Sequence, residues 1–252
     1  LVYSPLGAIS PLDGRYHSSV SGLNTYFSEA ALMQYRLYVE IEYLIALCRQ
    51  RKVKELPTLT SKEKVNLRSI YRKFDLTCAE QIKEIESETN HDVKAIEYYI
   101  QKKSPKKLHC WIHFALTSED VNNLSYTLMW KHAIEQIYLP EITILIRMVK
   151  HMSHKHRAAS MLSMTHGQPA TPTTFGKELA VFYARINKQI VQLKGNQYLG
   201  KLSGATGTWS AHRIAAKEVD WIKFTSRFVK MLGLEPNLLT TQIEPHDSIS
   251  ES

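Results

Sequence analysis

Cysteine is scarce in this sequence and poorly placed for cross-linking. The three, Cys48, Cys78 and Cys110, lie far apart and form no C-x-x-C pair, which argues against a disulfide framework and a thiolate zinc site and suits a reducing cytoplasm. Long apolar runs are missing too: stretches such as Tyr43 to Cys48 fall far short of the ~18 residues of a membrane span. No signal peptide precedes Asp13, so a soluble protein with no membrane partner is expected. Glycine and proline number only 10 and 9 in 252 residues, and no convincing pair of strands emerges, so helices should dominate. Internal repeats and low-complexity tracts are absent.

What is present is apolar content and positive charge. At 44% hydrophobic residues, the chain can bury a sizeable core, and a prior of about 150 residues per domain gives one or two domains. Lys plus Arg exceed Asp plus Glu by 32 to 24, a net charge of +8, with a pI near 9.2. That balance suits anionic partners: phosphate esters, polycarboxylates or nucleic acid. The basic stretch from Arg49 to Lys73 lacks interleaved stacking aromatics and any recognition-helix signature, so no nucleic-acid partner is expected.

Helix signals recur along the chain. Ser28 reads as the N-cap of a long helix whose Leu37, Ile41, Leu44, Ile45 and Cys48 form one apolar stripe, ending before Pro57. Thr60 with Glu63 and Thr77 with Glu80 each fit a capping box, opening helices that should bury Val65, Ile70 and Phe74, then Ile82 and Ile85. Asp92 caps Val93 to Ile100. The charged, proline-broken stretch Lys102 to Lys107 marks a domain boundary. Beyond it, Ser118 starts a helical pattern that bends at Pro140 and runs to about His156. Phe175, Leu179, Phe182, Ile186, Ile190 and Leu193 form a near-heptad seam, and Trp221, Phe224, Phe228 and Leu232 end at a Gly233 C-cap. The expected fold class is therefore all-α: an N-terminal helical domain, residues 1–107, then part of a long-helix bundle, residues 108–252.

Four polar segments between helices carry chemistry. Asp13, Gly14, Arg15 and Tyr16 join a guanidinium fork to a phenol, suited to a phosphate or carboxylate. Thr89, Asn90, His91 and Asp92 put an imidazole and a carboxylate at a helix start, where Asp92 also reads as a plain cap. Thr117, Ser118, Glu119 and Asp120 place two hydroxyls at a helix N-terminus, whose free N–H groups favour anions. The segment from Ser163 to Pro172 holds His166 between Thr165 and Gln168 in a loop whose Gly167 and two prolines should resist helix and strand alike. An imidazole there is placed to act as a general acid or base. A metal reading of His151, His154 and His156 fails on geometry: at ~100° per residue, His156 points roughly 140° away from His151.

Thr117 to Asp120 together with Thr165 to Ala170 resemble two of the three signature segments of the fumarase, aspartase and argininosuccinate lyase superfamily. Within it, Gly14 to Tyr16, Asn90 to Tyr98 and Thr240 to Asp247 resemble the bacterial adenylosuccinate lyases of purine biosynthesis, and the likeness runs from Ser10 to Asp247. The resemblance implies cofactor-free anti elimination of fumarate from a succinyl nucleotide, a small anionic substrate, in a homotetramer whose active sites are shared between subunits. His166 matches the family's acid. Thr117 and Ser118 match residues holding the succinyl carboxylates, and Arg15 and Tyr16 match contacts to the phosphate and ribose. Asn90, His91 and Asp92 match a loop lining the pocket, and Gln242 another substrate-binding position.

The third signature, a Ser-Ser-x-Met-Pro-x-Lys-x-Asn-Pro loop carrying the serine base, occurs nowhere in the 252 residues. The expectation is a chain corresponding to the first half of such an enzyme and inactive alone. Two other readings stand beside it: a lyase for another substrate, such as argininosuccinate, and a non-catalytic helical scaffold derived from the fold.

Overall fold

The computed structural model describes residues 5–252. In chain order the α-helices are α1 His17–Val20, α2 Asn24–Phe27, α3 Glu29–Leu47, α4 Ser61–Arg72, α5 Leu76–Thr89, α6 Asp92–Lys103, α7 Ser118–Ala133, α8 Leu139–Lys155, α9 Phe175–Lys194, α10 Ser210–Ala215, α11 Trp221–Met231 and α12 Asp247–Ser250. Strands β1 Ser160–Thr165 and β2 Gln168–Thr174 lie between α8 and α9, and the two-residue strands β3 Leu199–Gly200 and β4 Glu235–Pro236 pair in parallel. The fold is mostly helical, as expected. The chain divides into two compact units, residues 1–131 with 197–250, and residues 132–196 with 251–252. Position 107 lies inside the first unit, between α6 and α7.

The first unit is built around α3. Its expected stripe is buried, but so are Val39, Tyr43 and Leu47 and the charged Arg36, Glu40 and Glu42, so the helix is enclosed on nearly every face rather than along one. Val93, Ile96 and Ile100 of α6, Val121, Leu124 and Leu128 of α7, and Phe228 and Val229 of α11 are buried with it. Local signals set the helix ends. The Ser28 hydroxyl accepts from Ala31 N, and Thr60 and Glu63 form the full reciprocal capping box.

Three local expectations are corrected. The start of α5 is capped by Asp75, whose carboxylate accepts from Cys78 N, so the Thr77–Glu80 pair lies inside the helix. His91, not Asp92, caps α6: its Nδ1 accepts from Lys94 N, and Asp92 is the first helical residue. On α4 the inward face centres on Leu67, and Val65, about 200° away around the helix, is 61% exposed.

The second unit pairs α8 with α9 and carries an antiparallel hairpin where no strand pair was expected. Thr165 pairs with Gln168 across a two-residue turn in which His166 (φ 51°) and Gly167 (φ 73°) are both left-handed. That is the type I′ geometry, whose twist matches the strands. Pro169 and Pro172 are tolerated because the ribbon has only two strands, so the outward side of β2 needs no N–H, and an irregularity between Leu162 and Met164 shifts the register. Along the α9 seam only Ile190 is buried, and Phe182 stays exposed, as do Leu145 and Met148 on α8.

Candidate functional site

The α7 start is mounted on a buried ion pair. Asp120 and Lys201, both side chains 0% exposed, meet at 2.8 Å. The carboxylate also accepts from Thr117 N at 3.0 Å, Ser203 N at 3.0 Å and Gly204 N at 3.1 Å. Lys201 Nζ donates to Gly204 O at 2.6 Å. Asn123 closes the set, its amide nitrogen donating to Lys201 O and its oxygen accepting from Lys201 N. A buried pair held only by each other would be expensive; here further hydrogen bonds saturate both charges. The result is a fixed frame for Thr117 and Ser118, with Ser118 the first residue of α7.

Gln242 is brought to the same place. Its Nε2 lies 3.5 Å from Thr117 Oγ1, at the outer limit of a hydrogen bond. The segment bearing it is anchored by close backbone approach: a Cβ on Gly207 (φ +74°) would stand 2.2 Å from Thr240 O, so only glycine fits. It is anchored again by Glu244, fully buried, which accepts from Asn237 Nδ2 and from His246 N. His246 Nε2 faces Glu119 at 3.8 Å. Burial raises the Glu119 carboxyl above its ordinary value, while His246 and Lys201 pull the other way.

The 89–92 segment is positioned from α3. Asn90 takes a left-handed conformation as the C-cap of α5 (φ 49°), which turns the chain so that His91 caps α6. Because Nδ1 of His91 accepts Lys94 N, the neutral ring carries its proton on Nε2. Buried Arg36 donates to Asp92 at 2.6 Å and to Asn122 Oδ1 of α7 at 2.9 Å, tying this segment to α7. Burial pushes the Asp92 carboxyl up, but Arg36, helped by Val93 N, outweighs it and holds it below the usual value.

Arg15 and Tyr16 lie at the start of α1, both exposed. Among the described residues neither side chain has a hydrogen-bond or ion-pair partner, so the guanidinium fork is open to an anion. His166 belongs to the second unit, exposed at the hairpin tip in the left-handed turn. The structure thus joins Thr117 with Gln242 directly and Asp92 to α7 through Arg36. It does not bring Arg15 and Tyr16 into contact with them.

Two further histidines, partly buried His113 and fully buried His212, carry no signal in the sequence. His113 Nδ1 lies 2.5 Å from Glu40 Oε1 and 3.9 Å from Glu97 Oε1. Burial opposes charge on this ring, but the two carboxylates outweigh it and raise its pKa. His113 and Ala115 both have φ 58°, conformations that cost about 1–3 kcal/mol each in a non-glycine residue. His212 is fully buried, its ring 4.8 Å from that of Trp221 and its Nε2 3.4 Å from Tyr43 OH. Desolvation drives its pKa down to about 4. The overlooked Arg36, Glu40 and Lys201 have only weak sequence signals. The closest is the clustering of Gly200, Gly204 and Gly207 around Lys201.

A protein-family model described as lyase matches residues 14–252. Adenylosuccinate lyase of Legionella pneumophila (strain Philadelphia 1) is 46% identical over 256 residues, covering 100% of this chain and 56% of that protein. Adenylosuccinate lyase of Escherichia coli K12 is 45% identical over 253 residues, covering 98% of this chain and 56% of its own length. The chain therefore spans little more than half the length of these relatives. Among solved structures, a fumarate lyase from Mesorhizobium sp. BNC1 superposes with a TM-score of 0.74 at 17% identity, covering 92% of this chain and 52% of that one. A β-carboxy-cis,cis-muconate cycloisomerase from Acinetobacter calcoaceticus sp. ADP1 gives 0.69 at 16%, covering 94% and 54%. These two carry the fold alone. With the match to the family running from the Gly14–Arg15–Tyr16 segment through the α7 start and the His166 hairpin to residue 252, the chain belongs to the lyase family of the fumarase and aspartase superfamily.

Proposed function

We propose that the protein to which these residues belong is an adenylosuccinate lyase, eliminating fumarate from adenylosuccinate to leave AMP, and from succinyl-aminoimidazole-carboxamide ribotide in the same way. The observation that carries this reading is the 46% identity to an adenylosuccinate lyase sustained over the whole chain. In the reaction a base removes a proton from the carbon beside a succinyl carboxylate, the electron pair spreads into that carboxylate, the C–N bond breaks, and an acid protonates the departing nitrogen. His166 is the acid. The developing charge needs preorganised donors, and Thr117 and Ser118 at the α7 start, framed by Asp120 and joined by Gln242, hold the succinyl carboxylates. Arg15 and Tyr16 take the phosphate and ribose side, and Asn90, His91 and Asp92 line the pocket. The serine base comes from a segment outside these 252 residues.

The enzyme works in the cytoplasm as a homotetramer with shared active sites. The uncovered apolar side chains of α8 and α9 support the self-association. In that subunit residues 1–107 are the N-terminal domain and 108–252 open the central bundle.

The test follows fumarate release by residues 1–252 alone, and by a chimera continuing into the C-terminal remainder of the Legionella relative. The chain alone should be inactive and the chimera active on adenylosuccinate. A chimera that cleaves argininosuccinate and leaves adenylosuccinate intact would overturn the substrate. Robust turnover by residues 1–252 alone would overturn the assignment of the base.

A further inference from the structure

We propose that His113 is the positioning residue of this site: paired with Glu40 and facing Glu97, it fixes the left-handed turn that delivers Thr117 and Ser118 to the start of α7. Three observations converge on that turn. Its backbone is left-handed at two non-glycine residues, His113 and Ala115, a conformation the chain abandons unless its surroundings enforce it. Its local backbone bonds are long, Leu116 N to His113 O at 3.2 Å and Phe114 N to Trp111 O at 3.4 Å. What enforces it comes from the helices behind: Tyr43 OH of α3 donates to Phe114 O at 2.9 Å, and the His113 ring is held on Glu40 of α3 at 2.5 Å.

The charges around the ring suit such an anchor. Glu40 faces it from α3, and Glu97 and Lys94 from α6, with Lys94 paired to Glu97 at 2.7 Å. Glu40 Oε2 is buried with no hydrogen-bond partner among the described residues, which leaves the His113 ring as the group that meets this carboxylate. A ring whose folded pKa is raised contributes fully below the ordinary value of 6.5 and loses its hold as pH rises through the raised value. The anchor is therefore strongest below pH 6.5 and weakens as pH rises above it. Thr117, four residues on, is fixed separately by Asp120; His113 sets the path by which the chain reaches it.

The inference rests on the proposed function only for what the hydroxyls bind, so the test has two arms. In the first, hydrogen–deuterium exchange is measured on the 252-residue chain, with intrinsic rates corrected. His113→Gln, which keeps a hydrogen-bonding side chain but not the charge, should speed exchange across residues 113–118 by about tenfold or more, with α4 and α5 unchanged. Unchanged exchange in that segment overturns the proposal. Should the lone Glu40 unfold the variant, Glu40→Gln combined with His113→Gln removes both charges and decides the same question. Wild-type protection of 113–118 should also fall as pH rises above 6.5, and a pH-independent value is equally fatal. In the second arm, the chimera bearing His113→Gln should show a KM for adenylosuccinate raised about tenfold with a much smaller change in kcat, and His113→Lys should restore part of it. Unaltered KM overturns the link to the hydroxyls. A wild-type chimera that releases no fumarate refutes the proposed function instead, and the exchange arm still decides the anchor.

Discussion

Replacing Asp120 with Asn tests the frame beneath Thr117 and Ser118 most directly. The carboxylate meets one ammonium and three backbone N–H groups, from Lys201, Thr117, Ser203 and Gly204. An amide of the same shape has a single acceptor oxygen, so its NH2 must face groups that are themselves donors. Lys201, 0% exposed, keeps only Gly204 O. Removing one member of a buried pair costs about 3–5 kcal/mol, and at ~2–4 °C per kcal/mol for a chain of this size the midpoint should fall by roughly 6–20 °C. Lys201→Met should cost less, about 1.5–3 kcal/mol, because three amides still receive the charge of Asp120. The assays are thermal unfolding for the midpoint and urea unfolding for the free energy, both followed by tryptophan fluorescence. All four tryptophans, Trp111, Trp130, Trp209 and Trp221, lie in the first unit, so the signal ignores the second. An Asp120→Asn loss under about 1 kcal/mol, or a Lys201→Met loss larger than the Asp120→Asn loss, would refute the reasoning.

Other expectations follow from the same geometry. His212 has a folded pKa depressed from 6.5 to about 4, so the unfolded chain takes the proton first and the His212 contribution, complete above pH 6.5, fades as pH falls toward 4. Between pH 7.5 and 5 this amounts to about 2 kcal/mol, and urea midpoints of His212→Gln should lack that component. A Cβ at Gly176 would stand 2.4 Å from Ser153 O and 2.6 Å from the Arg157 Cα. Gly176→Ala should cost about 1–3 kcal/mol and melt helix in the second unit, seen by circular dichroism, with tryptophan fluorescence unmoved. In the chimera, His166→Ala should lower kcat by about two to four orders of magnitude with a smaller effect on KM; near-normal turnover would pass the acid role to another group, His91 first. Arg15→Lys should raise KM, since a point ammonium cannot reproduce a bidentate fork on phosphate, and unchanged kinetics would remove Arg15 from the site.

Much of the helical fold was legible because its signals are local. Ser28 and the Thr60–Glu63 pair satisfy backbone donors three residues away, and Gly233 (φ +83°) ends α11 by its own conformational freedom. Where two local solutions compete, spacing cannot choose: Asp75 and Thr77 both offer a cap, and the first turn of α5 uses Asp75. The hairpin is hidden from the sequence because Pro169 and Pro172 break strands in a wide sheet but not in a two-stranded ribbon, and nothing local says how wide the sheet is. For the site, the sequence by itself determined which short segments carry chemistry: Arg15–Tyr16, Asn90–Asp92, Thr117–Ser118, His166 and Gln242. Only the tertiary structure decided what holds them. Arg36 reaches Asp92, Lys201 reaches Asp120, Gln242 reaches Thr117 and His113 reaches Glu40 across chain separations over which no periodicity or spacing rule operates. A buried charge is stabilised by whichever partner the packing of the helices brings within about 3 Å.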